Sequence, residues 1–273
     1  MMRDDLALLT ELQRIAEQAG NIIMTYFSQQ VAFDAKGDGS PVTLADKAAD
    51  AFITQALHRM TPTIPVVSEE MVHPVSTVTR RAWSCLWLVD PLDGTRQFIR
   101  GDQGFSVNIA LIEAHAPVIG VVYSPVEQIG YAAVRGKGAW RWDAQGQKCP
   151  IHVAPVAQPI RVLTGFSSSP RGEKTRCFLN ALPAYQLFEL GSSLKICRVA
   201  EGTADVYPRF GLTSEWDTAA AQVVLTEAGG VLMGVDGLPL TYNARDTLEN
   251  PPFVAVGQVS YPWPMQPCAH RET

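Results

Sequence analysis

The chain opens on apolar positions at helical spacing. Leu6, Leu9, Leu12, Ile15, Ala16, Ala19, Ile22, Ile23, Tyr26 and Phe27 recur at intervals of three and four, the mark of an amphipathic helix. Asp4 and Asp5 stand at its start, where the helix dipole favours negative charge. Residues 36–41 are rich in turn formers and predict a loop. Thr43 then opens a second helix, with Asp46 three residues on as a partial capping box, and Asp46 and Asp50 share one face a turn apart. Pro62 and Pro65 end that region. Residues 64–68 predict a short strand leading into Glu69-Glu70, 71–84 a polar loop, and 86–89 a buried strand running into Asp90.

Strand patterns follow at 104–112, 118–124, 129–134 and 138–142, punctuated by Gly and Pro as in an antiparallel meander, with a hairpin signal at Asp143-Ala144-Gln145-Gly146. Beyond it, strands at 160–164, 185–190, 204–209 and 253–257 alternate with helices at 170–181, 192–201 and 216–228, the last stopped by Gly229-Gly230. The expected class is α/β (α+β), with stacked helix and sheet layers. A seam near 145–158 divides an N-terminal subdomain, 1–150, from a C-terminal one, 151–273.

At 273 residues, 47% hydrophobic and 18% charged, the chain buries enough surface to need no disulfides. Its net charge of -5 argues against a nucleic-acid polymer as partner, though a metal ion can reverse the sign of a site locally. The five cysteines (85, 149, 177, 197 and 268) are odd in number and show no C-x-x-C spacing, which predicts free thiols in a reducing compartment. The five histidines are scattered, without metal-ligand spacing. No apolar run reaches the roughly 18 residues of a membrane span, and the first residues lack a signal-peptide pattern. A soluble, cytoplasmic protein is expected.

The informative residues are acidic. Glu69 follows one strand, Asp90-Pro91-Leu92-Asp93-Gly94-Thr95 another, and Asp217 opens a late helix. Strand ends and helix starts are where layered α/β folds gather function. Singly, each segment has an ordinary reading: a turn, a solvated edge, a helix cap. If the carboxylates converge, their repulsion demands protons or cations, and all-oxygen ligands suit Mg²⁺ or Mn²⁺ over zinc. The D-x-D-G-T motif of haloacid-dehalogenase-like phosphatases is set aside, because here the second Asp lies one residue further on and would face elsewhere.

Ser40-Pro41-Val42-Thr43-Leu44-Ala45-Asp46, Ser68-Glu69-Glu70, Asp90 to Thr95 and Trp216-Asp217-Thr218-Ala219-Ala220, in that order, resemble the inositol monophosphatase superfamily. Phe98-Ile99-Arg100, the stretch 105–112, Gly120 to Pro125, Gly191-Ser192-Ser193-Leu194-Lys195 and Tyr207 to Gly211 resemble its bacterial 3'(2'),5'-bisphosphate nucleotidase branch. The resemblance implies a layered α-β-α-β-α sandwich. It also implies a phosphomonoesterase that removes the 3'-phosphate of adenosine 3',5'-bisphosphate, a by-product of sulfate assimilation, and is inhibited by Li⁺. The same resemblance implies two Mg²⁺ ions, with a third near Glu69. Glu69, Asp90 and the Leu92 carbonyl would hold one; Asp90, Asp93 and Asp217 the other. Thr95, oriented by Asp46, would position the attacking water. Gly94 and Thr95 would bind the phosphate, and Ser192, Lys195 and Arg209 the rest of the nucleotide. Some relatives lie on the cytoplasmic face of the inner membrane.

Inositol or sugar phosphates are the alternative substrates, and a non-catalytic nucleotide- or metal-binding regulator the alternative class. One departure stands out: where the branch carries Ser-Arg-Ser-His, this chain reads Thr164-Gly165-Phe166-Ser167-Ser168-Ser169, leaving Phe166 to stack on a base.

Overall fold

The computed structural model describes residues 4–27, 33–35, 41–71, 75–166 and 172–265. Helix α1 (Asp5–Phe27) turns Leu8, Leu12, Ile15, Ala19 and Ile23 inward, and Asp4 Oδ1 accepts the Leu6 and Ala7 N–H groups at 3.2 and 3.1 Å, capping its open end. A ribbon of β1 (Phe33–Ala35) against β2 (Pro41–Thr43) leads to α2 (Leu44–Met60). The loop expected at 36–41 falls, for residues 36–40, outside the described residues. The capping box is complete: Asp46 N–H donates to Thr43 Oγ1 at 3.4 Å, and Thr43 N–H to Asp46 Oδ2 at 2.8 Å.

Next come β3 (Val66–Ser68), a 3₁₀ turn (Glu69–Met71), α3 (Thr77–Arg81), β4 (Cys85–Asp93), α4 (Thr95–Arg100), β5 (Ser106–Glu113), β6 (Ala116–Ser124), β7 (Ile129–Val134), β8 (Gly138–Trp142) and β9 (Lys148–Pro150). Strands β3 to β9 pair in chain order, β3 parallel to β4 and the rest antiparallel. The expected hairpin at 143–146 joins β8 to β9, with Asp143 Oδ1 accepting the Gln145 and Gln147 N–H groups.

The rest of the chain supplies β10 (Ile160–Thr164), α5 (Glu173–Asn180), β11 (Tyr185–Glu189), α6 (Leu194–Ala200), β12 (Val206–Arg209), a 3₁₀ turn (Glu215–Asp217), α7 (Ala219–Glu227), β13 (Val231–Gly234) and β14 (Phe253–Val256). Its sheet runs β11-β10-β12-β14-β13.

Alternation on β5 shows how the layers stack. Val107, Ile109 and Leu111 face α1 and α2, whereas Ala110 and Ile112 face α6 and α7. The far side of α6 and α7 meets Tyr207, Leu232, Phe253 and Ala255 of the smaller sheet, whose other face covers Phe178 and Leu179 of α5. The result is the α-β-α-β-α order. No helix among the described residues is long and apolar enough to cross a membrane.

Three differences from the sequence reading have physical causes. The polar stretch 71–84 contains α3, which Ser76 caps through the Thr79 N–H at 3.1 Å. Its Arg80 is buried because Asn243 Oδ1 and the Arg245 and Asp246 carbonyls, far along the chain, accept its guanidinium. The short strands β1, β2, β9 and β13 leave too few residues for a period to register. Finally, Cys85, Cys149 and Cys197 lie outside any disulfide, as expected, but Cys177 is disulfide-bonded, which corrects the expectation of thiols throughout.

The middle layer tolerates little extra volume. A Cβ on Gly120 of β6 would stand 2.4 Å from the Ala220 carbonyl oxygen and from Val223 Cγ1 of α7. We expect Gly120→Ala to lower the unfolding free energy by about 1–3 kcal/mol through overpacking, measured by urea denaturation; an unchanged midpoint would show that α7 can shift without cost.

Candidate active site

Asp90 and Asp93 reach one place because β4 is bulged. Asp90 pairs with Asn108 and Asp93 with Ser106, so three residue steps on β4 oppose two on β5. In a regular strand, residues three apart face opposite ways. The extra residue, at Pro91-Leu92, undoes that alternation, and proline has no N–H to lose from the ladder. Asp217 arrives from the other half on the 3₁₀ turn, where its Oδ2 accepts the Ser214 N–H at 2.8 Å. Oxygens of Asp90, Asp93 and Asp217 lie within 4.8 Å of one another.

Glu69 lies outside this trio but beside it. The register Ser68↔Val89 sets it next to Asp90, and its charge pushes up the Asp46, Asp90, Asp93 and Asp217 carboxyls. A short hydrogen bond from Ser68 Oγ to Asp50 Oδ1 ties β3 to α2 just before Glu69.

Asp46 serves two elements at once. Its Oδ2 completes the cap of α2, and its Oδ1 lies 3.1 Å from Thr95 Oγ1. The same hydroxyl is 3.2 Å from the Leu92 carbonyl oxygen. With one proton to donate, Thr95 keeps its oxygen lone pairs for an incoming donor.

The second half closes over this floor through a stack of glycines. A Cβ on Gly94, whose φ is +97°, would meet the Gly104 carbonyl oxygen at 2.9 Å; one on Gly191 would lie 1.9 Å from that same oxygen. Three backbone segments therefore pack at a distance only glycine permits. They bring the start of α6 against Asp93, where Ser193 N–H donates to Oδ2 at 2.6 Å.

Ser193 does not cap α6 with its side chain; its hydroxyl donates to Asn108 Oδ1 at 2.7 Å. Ser192, in the left-handed region at φ +50°, accepts the Leu194 N–H instead. Lys195 is buried, with Nζ donating to the Ser192 carbonyl and standing 5.0 Å from the Tyr207 ring centre. Arg209 donates to the Leu212 carbonyl at 2.9 Å, while its Nε is buried without a partner among the described residues.

A cavity of 270 Å³ joins these parts, lined by Asp93, Gly94, Ser192, Lys195, Arg209 and Asp217. Its wall also carries Arg96 and Arg100 of α4, one turn apart, and Phe166. The sequence reading gave no role to either arginine, whose i, i+4 spacing was the available signal, or to Asn108, although Arg100 and Asn108 fall in stretches that carry the resemblance. Asp90, buried, lies behind the lining. Of the departing segment 165–169, Ser167 to Ser169 lie outside the described residues.

Burial raises the Asp90 carboxyl well above its ordinary value, with Glu69, Asp93 and Asp217 adding to the effect. Burial also raises Asp93, against the Lys195 charge and the Ser193 N–H. Asp217 is pushed up to about 8 by burial and by Asp93, and burial brings Lys195 down to about 8. The donors are hard oxygens, three on one locus, and cations would relieve the repulsion that now favours protons. The cluster thus fits a divalent metal of the Mg²⁺ class.

The chain belongs to the inositol monophosphatase family, whose model matches residues 5–261. Among curated relatives, it is 40% identical over 258 residues to the 3'(2'),5'-bisphosphate nucleotidase CysQ of Aggregatibacter actinomycetemcomitans (94% of this chain, 95% of that one). It is 42% identical over 248 residues to CysQ of Escherichia coli K12 (90% and 98%). The solved structure of CysQ from Bacteroides thetaiotaomicron superposes with a TM-score of 0.77 at 34% identity, covering 89% of this chain and 94% of its own. A 2'AMP-bound SaIMPase-II superposes at 0.72 with 25% identity, covering 92% and 90%.

The carboxyl shifts carry a sign. A raised pKa means the folded chain holds protons that the unfolded one has released, so unfolding free energy falls with rising pH. For Asp217 the window runs from 3.8 to about 8. Lys195 acts in the opposite sense, but only above about 8. Without divalent cations, the melting temperature should fall between about pH 6 and about pH 8, where ordinary carboxylates no longer titrate. Saturating Mg²⁺ should flatten that fall, and a flat metal-free profile would remove the repulsion argument.

Proposed function

We propose that this chain is a Mg²⁺-dependent phosphomonoesterase that removes the 3'-phosphate of adenosine 3',5'-bisphosphate. The observation that carries the reading is the trio of buried Asp90 and half-buried Asp93 and Asp217, near the Asp46–Thr95 pair, with Asp93 and Asp217 lining a cavity walled by Lys195 and Arg209. The resemblance to CysQ proteins at about 40% identity supports the nucleotide, and the 2'AMP-bound neighbour supports a nucleotide monoester in this fold.

Asp90, Asp93 and Asp217, with Glu69 and the Leu92 carbonyl, are the residues that would hold two Mg²⁺ ions, and a third would sit near Glu69. Bound there, the metal supplies charge stabilisation and lowers the pKa of attacking water. Thr95 Oγ1, donating to Asp46 Oδ1, accepts a hydrogen bond from that water and fixes its direction toward phosphorus. Asp46, raised by burial, is the terminal acceptor of the proton. Gly94 and Thr95 would offer backbone N–H groups to the scissile phosphate. Lys195, Arg209 and Ser192 bind the second phosphate, and two fixed cations favour a bisphosphate over a neutral polyol.

Inositol or sugar monophosphates are the second reading, and a binding-only regulator the third. Purified protein should release phosphate from adenosine 3',5'-bisphosphate with Mg²⁺ and not in EDTA, with a higher kcat/KM than for inositol monophosphate. The reverse preference would reassign the substrate, and binding without release would indicate a regulator.

Asp90→Asn should lower kcat by about 10³-fold, several kcal/mol of barrier. Thr95→Ala should cost about 10²-fold or more, as loss of a positioned proton acceptor does. Single-turnover kinetics read both, and an unchanged kcat in either variant removes that residue from the mechanism.

A further inference from the structure

Strand β5 is apolar along its buried length except for Ser106 and Asn108, both on the face toward α6. Asn108 is 1% exposed. A buried amide is costly unless every polar atom is used. Here Nδ2 donates to Asp93 Oδ2 at 3.3 Å, and Oδ1 accepts from Ser193 Oγ at 2.7 Å and Ser106 Oγ at 3.3 Å. The two hydroxyls lie 3.1 Å apart. The amide cannot be reversed, because its oxygen would then face the Asp93 carboxylate.

Asp93 Oδ2 is thus held from two sides, by Asn108 and by the Ser193 N–H. Among the described residues, Oδ1 accepts no hydrogen bond. A carboxylate anchored by one oxygen presents the other in a fixed direction, and the anchor here is also the start of the helix that carries Lys195.

We propose that Asn108 and Ser193 are positioning residues that lock Asp93 to α6, so that the cation-binding oxygen and the Lys195 side of the cavity keep one register. This rests on the reading of Asp93 as a metal ligand. Partners of this kind are worth about 10–100-fold in metal affinity.

The test is a Mn²⁺ titration of the full chain, free of nucleotide, followed by electron paramagnetic resonance, with the metal-free melting temperature measured alongside. Asp93→Ala is the control: if it leaves Mn²⁺ affinity unchanged, the metal-site reading fails and takes the inference with it. If the control weakens binding, Asn108→Leu, which keeps volume but removes both amide groups, should weaken Mn²⁺ about tenfold. Ser193→Ala, which removes one hydroxyl, should weaken it about threefold and carries the test alone should the first variant not fold. A lowered melting temperature with wild-type Mn²⁺ affinity would show that the network only packs the strand, and would overturn the proposal.

Discussion

Three carboxylates, one buried and two half-buried, with oxygens inside 4.8 Å cannot all stay ionised without help, and the molecule is arranged around that fact. Two other buried acids are met by matched charge: Asp205 takes the Arg161 guanidinium at 2.6 Å, and Glu215 takes that of Arg245 at 2.9 Å. Among the described residues, Asp90 has no comparable cation. The Leu92 N–H donates to Asp90 at 3.1 Å, its side-chain hydrogen-bond partners Glu69 and Asp217 are themselves acids, and burial together with Glu69, Asp93 and Asp217 raises its pKa. A fold keeps such a cluster at a stability cost only where an ion or a proton completes it.

The cost is contained by dividing the cluster between the two sheet systems. Asp90 and Asp93 sit at the bulged end of a strand whose other residues pair regularly with β5. Asp217 sits on a separate turn, tied from behind through Glu215 to the Asn243 N–H and Arg245 and from the side by Asn250 Nδ2 donating to the Ser214 carbonyl. Asp90 and Asp93 are thus anchored to one scaffold and Asp217 to another. The glycine stack at 94, 104 and 191 closes the distance between them.

Much of this was legible along the chain, unevenly. The long helix at the N-terminus, the capping box at Thr43 and the meander carry local signals, in period and in turn residues, and folded as read. The acidic residues were legible as a set through their spacing and family pattern. Asn108 was not, since a lone Asn in an apolar strand says that something polar lies opposite but not what. Arg80 reads as a loop charge until its acceptors near 243–246 fold against it. Ser193 stands at the start of α6, yet its hydroxyl turns to Asn108 on β5 and its N–H to Asp93. In each case the missing information was a partner distant in sequence.

The cations complete the physical logic of the site. Lys195 is buried between Asp93, which stabilises its charge, and the Tyr207 ring, so it partly offsets the carboxylates while facing the cavity. Arg209, Arg96 and Arg100 extend positive charge away from the acidic floor. A ligand that suits this gradient must be anionic at two points: one against the floor, where cations can bridge like charges, and one against the wall, where the protein itself supplies the positive charge. A monophosphate on a neutral ring would leave the wall unpartnered. Two separate anionic groups would suit both ends, so specificity is better sought in the cationic wall, which both halves of the chain supply, than in the carboxylates themselves.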